Sequence, residues 1–594
     1  MEFITCLVEN AYKKSKYYDD SVPFRGQYYW ITSEYKSPIA KMLLKKVNNQ
    51  LKKNGMDQVN ATDILDDIIN SIDTEYKKMI DIVAIKGLLI IKVSSHFIEL
   101  NINKLNYNKF IKKESISKKI CIDYSSPNAA KDLHVGHLRS TIIGDVLARL
   151  LELKGHDVHR VNHLGDYGVH IGMIVHKLST LKKKEDIGKY LNIKELSNIY
   201  TMAKKTYLED SEFKKNAHNK TILIQTHNTS LYDTKEYTET IELYNNIRDI
   251  SFSAIDKLYK QLNIIGLDKV PESSYGKIIP DLLEYLKKNN LSKEDDGRII
   301  VDGGGKIPLT VLKSDGGYTY DTTDLAALKY RTENYDTILY VVDNGNAQAN
   351  HFKTLFNFGK KAGWITNKHH VEHIGFGYVL GEDGKILRSR DGGAIKLKEL
   401  LDESIIKYKK FLKESKTRHD MNKDNDEFIN TVAMACVKYA DLSFNRLSDY
   451  KFSFKKMLSL EGDTAPYILY SLARTNSMYK KALKEDNTID SKINNILISL
   501  DGNEYDKKLT SWLLNLEYAV DDAYKTLKPN NISSYLYILC KIYASWFTNT
   551  RCIEYNSDDT VKTINYSRLK INYLTNKSIK FCLMILGIDE IEFM

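Results

Sequence analysis

A chain of 594 residues is too long for one hydrophobic core, so about two to four domains of roughly 100–200 residues are expected. Charged residues at 28% and apolar residues at 42% are typical of a soluble globular protein. No apolar stretch approaches the ~20 residues of a membrane-spanning helix, so the composition predicts a cytoplasmic protein without a membrane partner.

The six cysteines are scattered singly, without the Cys-x-x-Cys spacing of a zinc ribbon or the density of a disulfide scaffold. This pattern predicts buried, reduced thiols and no structural metal. The net charge of +10 suits a polyanionic partner such as nucleic acid, although lysine is abundant throughout the chain.

The first predicted domain covers residues 1–116. It combines an amphipathic helical segment, SPIAKMLLKKVNNQLKK, with a strand-like run from Asp81 to Leu105, DIVAIKGLLIIKVSSHFIELNINKL. We therefore expect a small α+β domain.

The second predicted domain, residues 117–404, alternates strand and helix patterns. The strand-like segments KICIDYSS, DVHRVNHL, TILYVVDN and HVEHIGFGYVLG surround a predicted helix from about 133 to 153. Such alternation is typical of a parallel α/β sheet. Residues 209–246 are polar and weakly periodic, and this pattern predicts a surface insertion.

The third predicted domain, residues 405–594, has few glycines and shows apolar residues at helical spacing, as in FINTVAMACVKYADLSF. The pattern predicts a helical bundle.

The segment SSPNAAKDLHVGHLRS carries the clearest chemical signal. The α/β region contains neither G-x-x-x-x-G-K-[ST] nor a strand-linked G-x-G-x-x-G, so it supports neither a P-loop nucleoside triphosphatase nor a dinucleotide dehydrogenase. His134, Gly136 and His137 fall where the next helix should begin. Free N–H groups at a helix start attract phosphate, and a glycine lets a base or ribose approach the backbone. Two alternatives remain: exposed polar histidines, or half of a zinc site completed by His156, His159 or His163.

The wider string SSPNAAKDLHVGHLRSTIIGD, followed by RVNHLGDYG, resembles the arginyl branch of the class I aminoacyl-tRNA synthetases. Further similar strings follow in the order of that family: GGYTYDTTDLAALKYR, YVVDNGNAQANHF, HIGFGYVLGEDGKILRSRDGG, VKYADLSFNRLSDYKFSFKKMLSLEGDTAPYILYSLAR and the terminal ILGIDEIEFM. The resemblance covers residues 120–594 and only the outline of the first 116.

The resemblance implies a Rossmann-like parallel-sheet catalytic domain, an N-terminal α+β domain that contacts tRNA, and a C-terminal helical domain that binds the anticodon. It also implies an ATP-dependent arginine–tRNA ligase that forms arginyl-adenylate and transfers arginine to the 3′-terminal adenosine of tRNA(Arg). ATP, with Mg²⁺, L-arginine and tRNA(Arg) would then be the ligands, and a monomer is expected. The family adds transfer to the 2′-hydroxyl and a need for bound tRNA in the activation step.

By the resemblance, the ATP site has two parts. The first is the strand-following motif, His134, Gly136 and His137. The second is the segment GKILRSR, which stands where many class I enzymes have Lys-Met-Ser-Lys-Ser and which supplies Lys385, Arg388, Ser389 and Arg390. Lys131 would then provide the cation that this altered loop lacks.

Arginine recognition requires carboxylates for a planar, five-donor cation. Asp123, Tyr320 and Asp324 match the family positions that hold the guanidinium, and Asn128 and Gln348 match those that hold the main-chain groups. The segment NGNAQANH is two residues longer than the usual spacing, so Asn346 is the alternative to Gln348. Each aspartate could instead be a helix cap or turn residue.

Four residues of the helical region match the family's tRNA surface: Tyr467, Tyr470, Phe547 and Met594. Tyr467 and Tyr470 share a helix face at i, i+3 spacing, where aromatic side chains either pack in a core or stack on unpaired bases. Phe547 stands where relatives carry tyrosine, so it keeps the stacking surface without the hydroxyl.

Two alternative functions fit parts of the sequence. A class I synthetase for another amino acid would share the histidine motif but not the paired Asp123 and Asp324. A non-catalytic tRNA-binding paralogue would be expected to have lost the histidine motif or the acidic residues, and both are present.

Overall fold

The computed structural model describes residues 2–22, 27–29, 34–85, 87–105, 111–180, 191–226, 229–342, 348–387, 395–414, 424–558 and 561–594. The chain divides into two compact units. One unit comprises residues 1–112, 459–584 and 590–594, and the other comprises residues 113–458 and 585–589. The predicted domain borders at 116 and 404 stay predictions, although the second unit extends beyond 404 to Leu458.

The N-terminal part of the first unit is an α+β arrangement. Its elements are α1 (Glu2–Lys14), β1 (Gln27–Tyr29), β2 (Glu34–Ser37), α2 (Ile39–Lys53), α3 (Ala61–Asn70), α4 (Thr74–Lys77), β3 (Ile80–Ile85), β4 (Leu88–Val93) and α5 (Ser95–Ile102). The four strands form an antiparallel sheet in the order β1-β2-β4-β3. In β4, Leu89 and Ile91 are fully buried, as the alternating pattern of a half-covered sheet requires.

The strand-like run that begins at Asp81 is therefore strand only in its first half. Ser94 accepts a hydrogen bond from the N–H of Phe97 at 3.2 Å and starts helix α5. A serine cap outweighed the apolar, β-prone composition of HFIEL.

The second unit is organised around a five-stranded parallel sheet in the order β12-β11-β5-β6-β7. Its strands are β5 (Lys119–Tyr124), β6 (Asp157–Asn162), β7 (Asp268–Lys269), β11 (Thr337–Val341) and β12 (His370–His373). Strands β5 and β11 are nearly continuous apolar runs, which is typical of strands covered on both faces. The chain moves outward from β5 in one direction through β6 and β7, then in the other through β11 and β12. Such a reversal leaves a crevice at the carboxyl ends of the strands.

Helices cover this sheet and extend the unit. They are α6 (Val135–Leu153), α7 (Val169–Ser179), α8 (Ile193–Glu209), α9 (Ser211–Gln225), α10 (Lys235–Gln261), α11 (Ile279–Lys288), α12 (Tyr320–Asn334), α13 (Ala349–Lys361), α14 (Leu397–Glu414), α15 (Asp426–Leu442) and α16 (Phe454–Met457), with 3₁₀ turns at Thr229–Leu231 and Glu272–Ile278. An antiparallel trio, β8 (Ser292–Asp295), β9 (Arg298–Val301) and β10 (Leu309–Leu312), and a parallel pair, β13 (Val379–Leu380) and β14 (Tyr450–Lys451), complete it.

The predicted helix from 133 to 153 is α6, which crosses directly behind β5. Fourteen of its nineteen residues are buried. A Cβ on Gly144 would lie 2.3 Å from the ring of Tyr124 on β5. Only glycine allows helix and strand to approach so closely.

Residues 209–246, predicted to be a surface insertion, are mostly helical, and although many of their side chains are exposed, one face is buried. They form α9 and the first half of α10, and Phe213, Ala217 and Leu243 are buried in the unit. Gln225 donates to the carbonyl of Tyr167 at 2.6 Å and accepts from the N–H of Tyr318 at 2.8 Å. Composition did not predict this packing, because polar side chains such as Gln225 form hydrogen bonds inside the unit.

The rest of the first unit is helical, as predicted. It contains α17 (Ala465–Glu485), α18 (Ile489–Lys492), a 3₁₀ turn (Ile493–Asn495), α19 (Glu504–Leu513), α20 (Leu516–Thr526), α21 (Asn530–Asn549) and α22 (Tyr566–Ile585), with the antiparallel pair β15 (Ile553–Tyr555) and β16 (Val561–Ile564). Trp546 anchors this core, and its indole donates to the buried carboxylate of Asp506 at 2.6 Å.

In the described parts of the chain, no helix is both long enough and apolar enough to cross a membrane. The same residues contain no group of three or more His, Cys, Asp or Glu placed to hold a metal ion.

Candidate functional site

The turn after β5 is strained. Ser125, Ser126 and Ala130 have φ values of 71°, 43° and 60°, in the left-handed region that residues with a Cβ avoid. The N–H of Ser125 donates to Ser140 Oγ at 2.7 Å, and that of Ala130 donates to Ser251 Oγ at 2.9 Å. Strain of this kind persists where surrounding contacts enforce it, and it concentrates at functional sites.

The two histidines of the motif bracket the start of α6. His134 is the N-cap residue, and its Nδ1 accepts from the N–H of Gly136 at 3.1 Å. Nδ1 of His137 accepts from the N–H of His134, also at 3.1 Å. An imidazole that accepts at Nδ1 carries its hydrogen on Nε2. Both rings, whose centroids are 3.9 Å apart, are therefore fixed as Nε2–H donors.

Burial keeps both rings neutral. It lowers the pKa of His137 to about 3, with smaller contributions from His134 and Lys131. It also lowers the pKa of His134, again with a contribution from Lys131. Neutral N–H donors at a helix start suit phosphate oxygens, which bring their own negative charge.

Lys131 lies close to the motif, as its effect on both histidines indicates. Its ammonium group is 4.7 Å from the centre of the Tyr200 ring. Burial and the charge of Lys131 also lower the pKa of His170, to about 4. Sequence analysis did not single out His170, whose Nε2 bonds to the carbonyl of Gly165 at 3.2 Å.

The structure connects the GKILRSR segment to the histidine motif through the backbone that follows it. Val135 donates to the carbonyl of Ile395 at 3.2 Å, and Leu397 donates to the carbonyl of Leu133 at 2.7 Å. Lys396 pairs with Asp132 at 2.7 Å.

The structure describes only the first four residues of the GKILRSR segment. Lys385 is exposed in the turn that joins Gly381 to Ile386. Arg388, Ser389 and Arg390 lie outside the described residues, so their contacts with ATP stay predictions.

Asp324 is an accessible carboxylate of the predicted arginine site. It lies in the first half of α12, and its Oδ2 is 2.7 Å from Nε2 of His351. The other nitrogen of that ring is 3.5 Å from Oδ1 of Asp321. These carboxylates raise the pKa of His351, although burial alone would lower it. Tyr320 is 65% exposed and presents an edge contact to His351.

Asp123 was predicted to bind the guanidinium of arginine, but in the structure it is paired with residues of the protein itself. Its side chain is buried and forms an ion pair with Arg331 at 2.8 Å. The other carboxylate oxygen accepts from Ser126 Oγ at 2.7 Å. Direct contact of Asp123 with arginine stays a prediction, because this structure engages both of its oxygens internally.

The two residues predicted to hold the main-chain groups of arginine are exposed. Asn128 follows the strained turn and forms a parallel bridge with Gly165, where a Cβ would lie 2.3 Å from Asn128 Oδ1. Gln348 caps α13, and its carbonyl accepts from Phe352 at 3.0 Å. Asn346, the alternative, lies outside the described residues.

Sequence analysis missed Glu272, and it named His163 only as a possible zinc ligand. Burial, followed by the charges of Asp324 and Asp166, raises the pKa of Glu272 to about 8. Nε2 of His163 is 3.8 Å from Oδ1 of Asp324. Their positions offered a signal: Glu272 follows β7 and His163 follows β6, at the carboxyl ends of adjacent parallel strands.

Of the four residues predicted to contact tRNA, Tyr470 and Phe547 meet around one cation. The guanidinium of Arg474 is 4.7 Å from the Tyr470 ring and 4.8 Å from the Phe547 ring. Tyr467 is half-buried and packs edge-on against Tyr537. Tyr470 is exposed and Phe547 is half-buried, and partly exposed rings beside an arginine form a surface on which bases can stack.

The chain end runs along the same helix, α17. Asn476 donates to the carbonyls of Ile591 and Glu592 at 3.4 and 3.2 Å. Lys480 pairs with Glu592 and lies 4.0 Å from the centre of the Phe593 ring. Met594, the next residue, is half-exposed.

Two family models and several known proteins are similar to this chain in sequence or structure. The family model for tRNA synthetases class I (R), catalytic domain, matches residues 99–454, and that for the DALR anticodon binding domain matches residues 468–594. The chain is 37% identical over 525 residues to the arginine–tRNA ligase of Crocosphaera subtropica, covering 85% of this chain and 86% of that protein.

A second relative and a solved structure extend the similarity to nearly the whole chain. The arginine–tRNA ligase of Rippkaea orientalis is 36% identical over 575 residues, covering 94% of this chain and 93% of that protein. The crystal structure of arginyl-tRNA synthetase from Plasmodium falciparum superposes with a TM-score of 0.77 at 28% identity, covering 100% of this chain and 99% of that one. The chain therefore belongs to the arginyl branch of the class I tRNA synthetases.

Proposed function

We propose that the chain is an arginine–tRNA ligase that uses the crevice above β5 for both chemical steps. The observation that carries this proposal is that two neutral Nε2–H donors, His134 and His137, follow β5, while Asp324 lies 3.8 Å from His163, which follows the neighbouring parallel strand β6. Donors of this kind suit a polyphosphate, and the acidic pocket suits a guanidinium.

In the first step, a carboxylate oxygen of arginine attacks the α-phosphorus of ATP. A C–O–P bond forms, the bond between the α-phosphorus and the bridging oxygen breaks, and pyrophosphate leaves with both electrons of that bond. Negative charge builds on the phosphate oxygens, where His134 and His137 donate from Nε2. Lys131 and the basic segment that contains Lys385, Arg388, Ser389 and Arg390 offset the charge of the leaving pyrophosphate. Mg²⁺ enters with ATP as part of that substrate.

In the second step, a hydroxyl of the 3′-terminal ribose of tRNA(Arg) attacks the carbonyl carbon of arginyl-adenylate. The new ester C–O bond replaces the bond to phosphate, AMP leaves, and the hydroxyl proton passes to solvent or to the released phosphate. The arginyl group is transferred without a change in oxidation state, so the reaction needs no redox partner.

Selection of arginine rests on Asp324, with Tyr320 at the rim and Glu272 close to the same carboxylate. Asp123, Asn128 and Gln348 complete the proposed arginine site. Because carboxylate–guanidinium bonds are bidentate and charge-assisted, lysine should be rejected despite its equal charge.

The tRNA surface consists of Tyr467, Tyr470, Phe547 and Met594, all carried by or adjacent to α17 and α21. We also propose that the protein works as a monomer in the cytoplasm without a structural metal. Cys121, Cys436, Cys540, Cys552 and Cys582 are free and buried, which supports a reducing compartment.

A charging assay with all twenty amino acids and total tRNA tests the function. We expect ATP-dependent charging with arginine alone, and pyrophosphate exchange that depends on arginine and tRNA. Charging by another amino acid would identify a different class I synthetase. tRNA binding without exchange or charging would identify a non-catalytic paralogue.

A further inference from the structure

Helix α10 contacts two segments of the proposed site through hydroxyl groups on one of its faces. These hydroxyls belong to Tyr244, Ser251 and Tyr259, which are buried and lie about two helical turns apart from one to the next. The first bonds to the segment that follows β6, and the other two bond to the turn that follows β5. A single helix therefore reaches both segments on which the proposed chemistry depends.

The phenol of Tyr259 holds the first two strained residues of the turn after β5. Its oxygen lies 2.6 Å from Oγ of Ser125 and accepts from the side-chain amide of Asn162 at 2.9 Å. The amide oxygen of Asn162 accepts in turn from the N–H of Ser126 at 2.9 Å. Ser125 and Ser126 both have a left-handed backbone. One phenol therefore supports each of them, either directly or through Asn162.

Ser251 holds the third strained residue of the same turn. Its Oγ accepts from the N–H of Ala130 at 2.9 Å and donates to the carbonyl of Ile247, one turn earlier in α10, at 2.6 Å. Ala130 is fully buried, so removal of the hydroxyl would leave a buried N–H group without its acceptor. The left-handed residues that lead to the histidine motif are thus tied to α10, and contacts of this kind are what keep such a strained backbone in place.

Tyr244 acts on a different segment, the one that follows β6. Its phenol donates at 2.8 Å to Oδ2 of Asp166, which also accepts from the hydroxyl of Ser273 at 2.7 Å. The other carboxylate oxygen of Asp166 accepts from the N–H of Ser273 at 3.0 Å. The residue before Ser273 is Glu272, whose charge interacts with Asp324 of the proposed arginine pocket. Tyr244 therefore helps to fix the backbone that carries Glu272.

The three hydroxyls are not needed to form or bury the helix. Leu243, Ile247 and Ile255 supply an apolar stripe on the same side of α10, and alanine has a higher helix propensity than serine. A buried hydroxyl adds stability only through the hydrogen bonds that it makes. Apart from the bond from Ser251 to Ile247, those bonds reach the two segments of the proposed site, so the hydroxyls act on the geometry of these segments.

We propose that α10 positions both parts of the active site and that Tyr244, Ser251 and Tyr259 are positioning residues with separate effects. Ser251 and Tyr259 set the turn that leads into the histidine motif, and Tyr244 sets the segment that carries Glu272. The proposal rests on the proposed function, because the first effect concerns the donors to phosphate and the second concerns the recognition of arginine. None of the three hydroxyls is assigned a contact with a substrate.

Hydroxyl deletions in the full-length protein test this separation. We expect Ser251→Ala and Tyr259→Phe to lower the kcat of tRNA-dependent pyrophosphate exchange about three- to tenfold, the factor that corresponds to the net strength of an ordinary hydrogen bond. Tyr244→Phe should instead raise the KM for arginine by a similar factor and leave kcat within about twofold of wild type. The same kinetic pattern in all three variants would overturn the proposal.

Two changes on the same helix serve as controls. Ser253→Ala removes an exposed hydroxyl of the same size, and Tyr237→Phe removes a phenol at a half-buried position near the start of α10. Both variants should keep the kcat and the KM for arginine of the wild type. A loss of kcat in Ser253→Ala equal to that in Ser251→Ala would contradict the role given to the bond with Ala130.

Double-mutant cycles separate a positioning role from a general loss of stability. If Ser251 acts through the histidine motif, Ser251→Ala should add less than about twofold to the loss of kcat that His137→Ala already causes. Tyr244→Phe should likewise add little to the rise in the KM for arginine that Glu272→Gln causes. A smaller folded fraction would reduce activity by the same factor in either background, so additive effects would refute the positioning role.

Amide hydrogen exchange gives a readout that does not depend on activity. The N–H of Ser126 should exchange faster in Tyr259→Phe than in wild type, and the N–H of Ala130 should exchange faster in Ser251→Ala, whereas Ser253→Ala should match wild type. Unchanged exchange in the first two variants would overturn the proposal. If exchange changes as expected but the wild-type protein does not charge tRNA with arginine, the supporting contacts of α10 stand and the proposed function fails.

Discussion

Nε2 of His351 lies 2.7 Å from Oδ2 of Asp324, and the other ring nitrogen faces Asp321 at 3.5 Å. The imidazole thus lies between two carboxylates, of which Asp324 belongs to the proposed arginine pocket. When protonated, it offsets the charge that a guanidinium would meet. Other ionisable groups near this pair are His163, Glu272 and the phenol of Tyr320.

This arrangement predicts a pH-dependent affinity for arginine. The carboxylates raise the pKa of His351 above its ordinary value of about 6.5. The imidazole therefore keeps its proton to a higher pH than a free histidine does. Arginine binding at Asp324 should expel the proton, and by linkage the KM for arginine should fall as pH rises through the raised pKa. His351→Gln should flatten this part of the profile, and His370→Gln, on an exposed strand position, should not. Identical profiles for wild type and His351→Gln would exclude the effect.

The histidine motif should act on chemistry rather than on tRNA binding. His134→Ala or His137→Ala removes an Nε2–H donor that faces the proposed phosphate position. We expect aminoacylation to fall about 10²-fold or more, with kcat affected more than the KM for tRNA. Steady-state charging together with a tRNA-binding measurement separates the two effects. Near-normal turnover in both variants would refute the assignment.

Asp324→Asn keeps the shape of the side chain and removes its charge. A charge-assisted hydrogen bond contributes about 1.5–3 kcal/mol, so the KM for arginine should rise roughly ten- to hundredfold. The KM for ATP should stay nearly constant. Glu333→Gln, an exposed change on the same helix, serves as the control. If the KM for ATP alone rises, Asp324 belongs to the nucleotide site.

Gly144→Ala tests the contact between α6 and β5. Helix propensity alone would favour alanine by up to about 1 kcal/mol. The new Cβ would instead overlap the Tyr124 ring at 2.3 Å, and overpacking of this kind costs roughly 1–3 kcal/mol. A lower melting temperature is therefore expected, measured beside Gly375→Ala, where the nearest atom to a new Cβ is 3.7 Å away. An increase in stability would show that the helix can move away from the strand.

The chain end should contribute to tRNA affinity. Asn476 and Lys480 hold the last residues along the helix that carries Tyr470. Deleting Phe593 and Met594 should raise the KM for tRNA several-fold, because a thioether or ring placed there can pack against a splayed base. As a control, a bulky tag added at Met1 should change the KM for tRNA less than this deletion does. Unchanged tRNA kinetics after the deletion would assign the end no role.

The sequence was most informative where local chemistry decides the structure. A histidine and a glycine at a helix start, an apolar strand before them and helical periodicity after residue 405 were all readable without contacts. The parallel sheet, the position of α6 and the family assignment are confirmed.

Features that depend on distant partners could not be read in the same way. Asp123 is 208 positions away from Arg331, its ion-pair partner, and nothing local distinguishes it from a carboxylate that faces a substrate. The pKa of Glu272 is raised mainly by burial, and that of His351 by the carboxylates of Asp324 and Asp321, and both effects arise from elements that are distant in the sequence. The helices at 209–246 showed little apolar periodicity because some of their polar side chains, such as Gln225, bond to partners inside the fold.

The left-handed backbone at Ala130 is a position where greater stability and greater activity require different residues. An alanine with a φ of 60° costs about 1–2 kcal/mol relative to a relaxed residue, and glycine would remove that cost. A screen that rewards only heat resistance should therefore accumulate glycine there. The same change would widen the motions of the segment that leads to the two histidines, so the most heat-resistant variants should include slow enzymes.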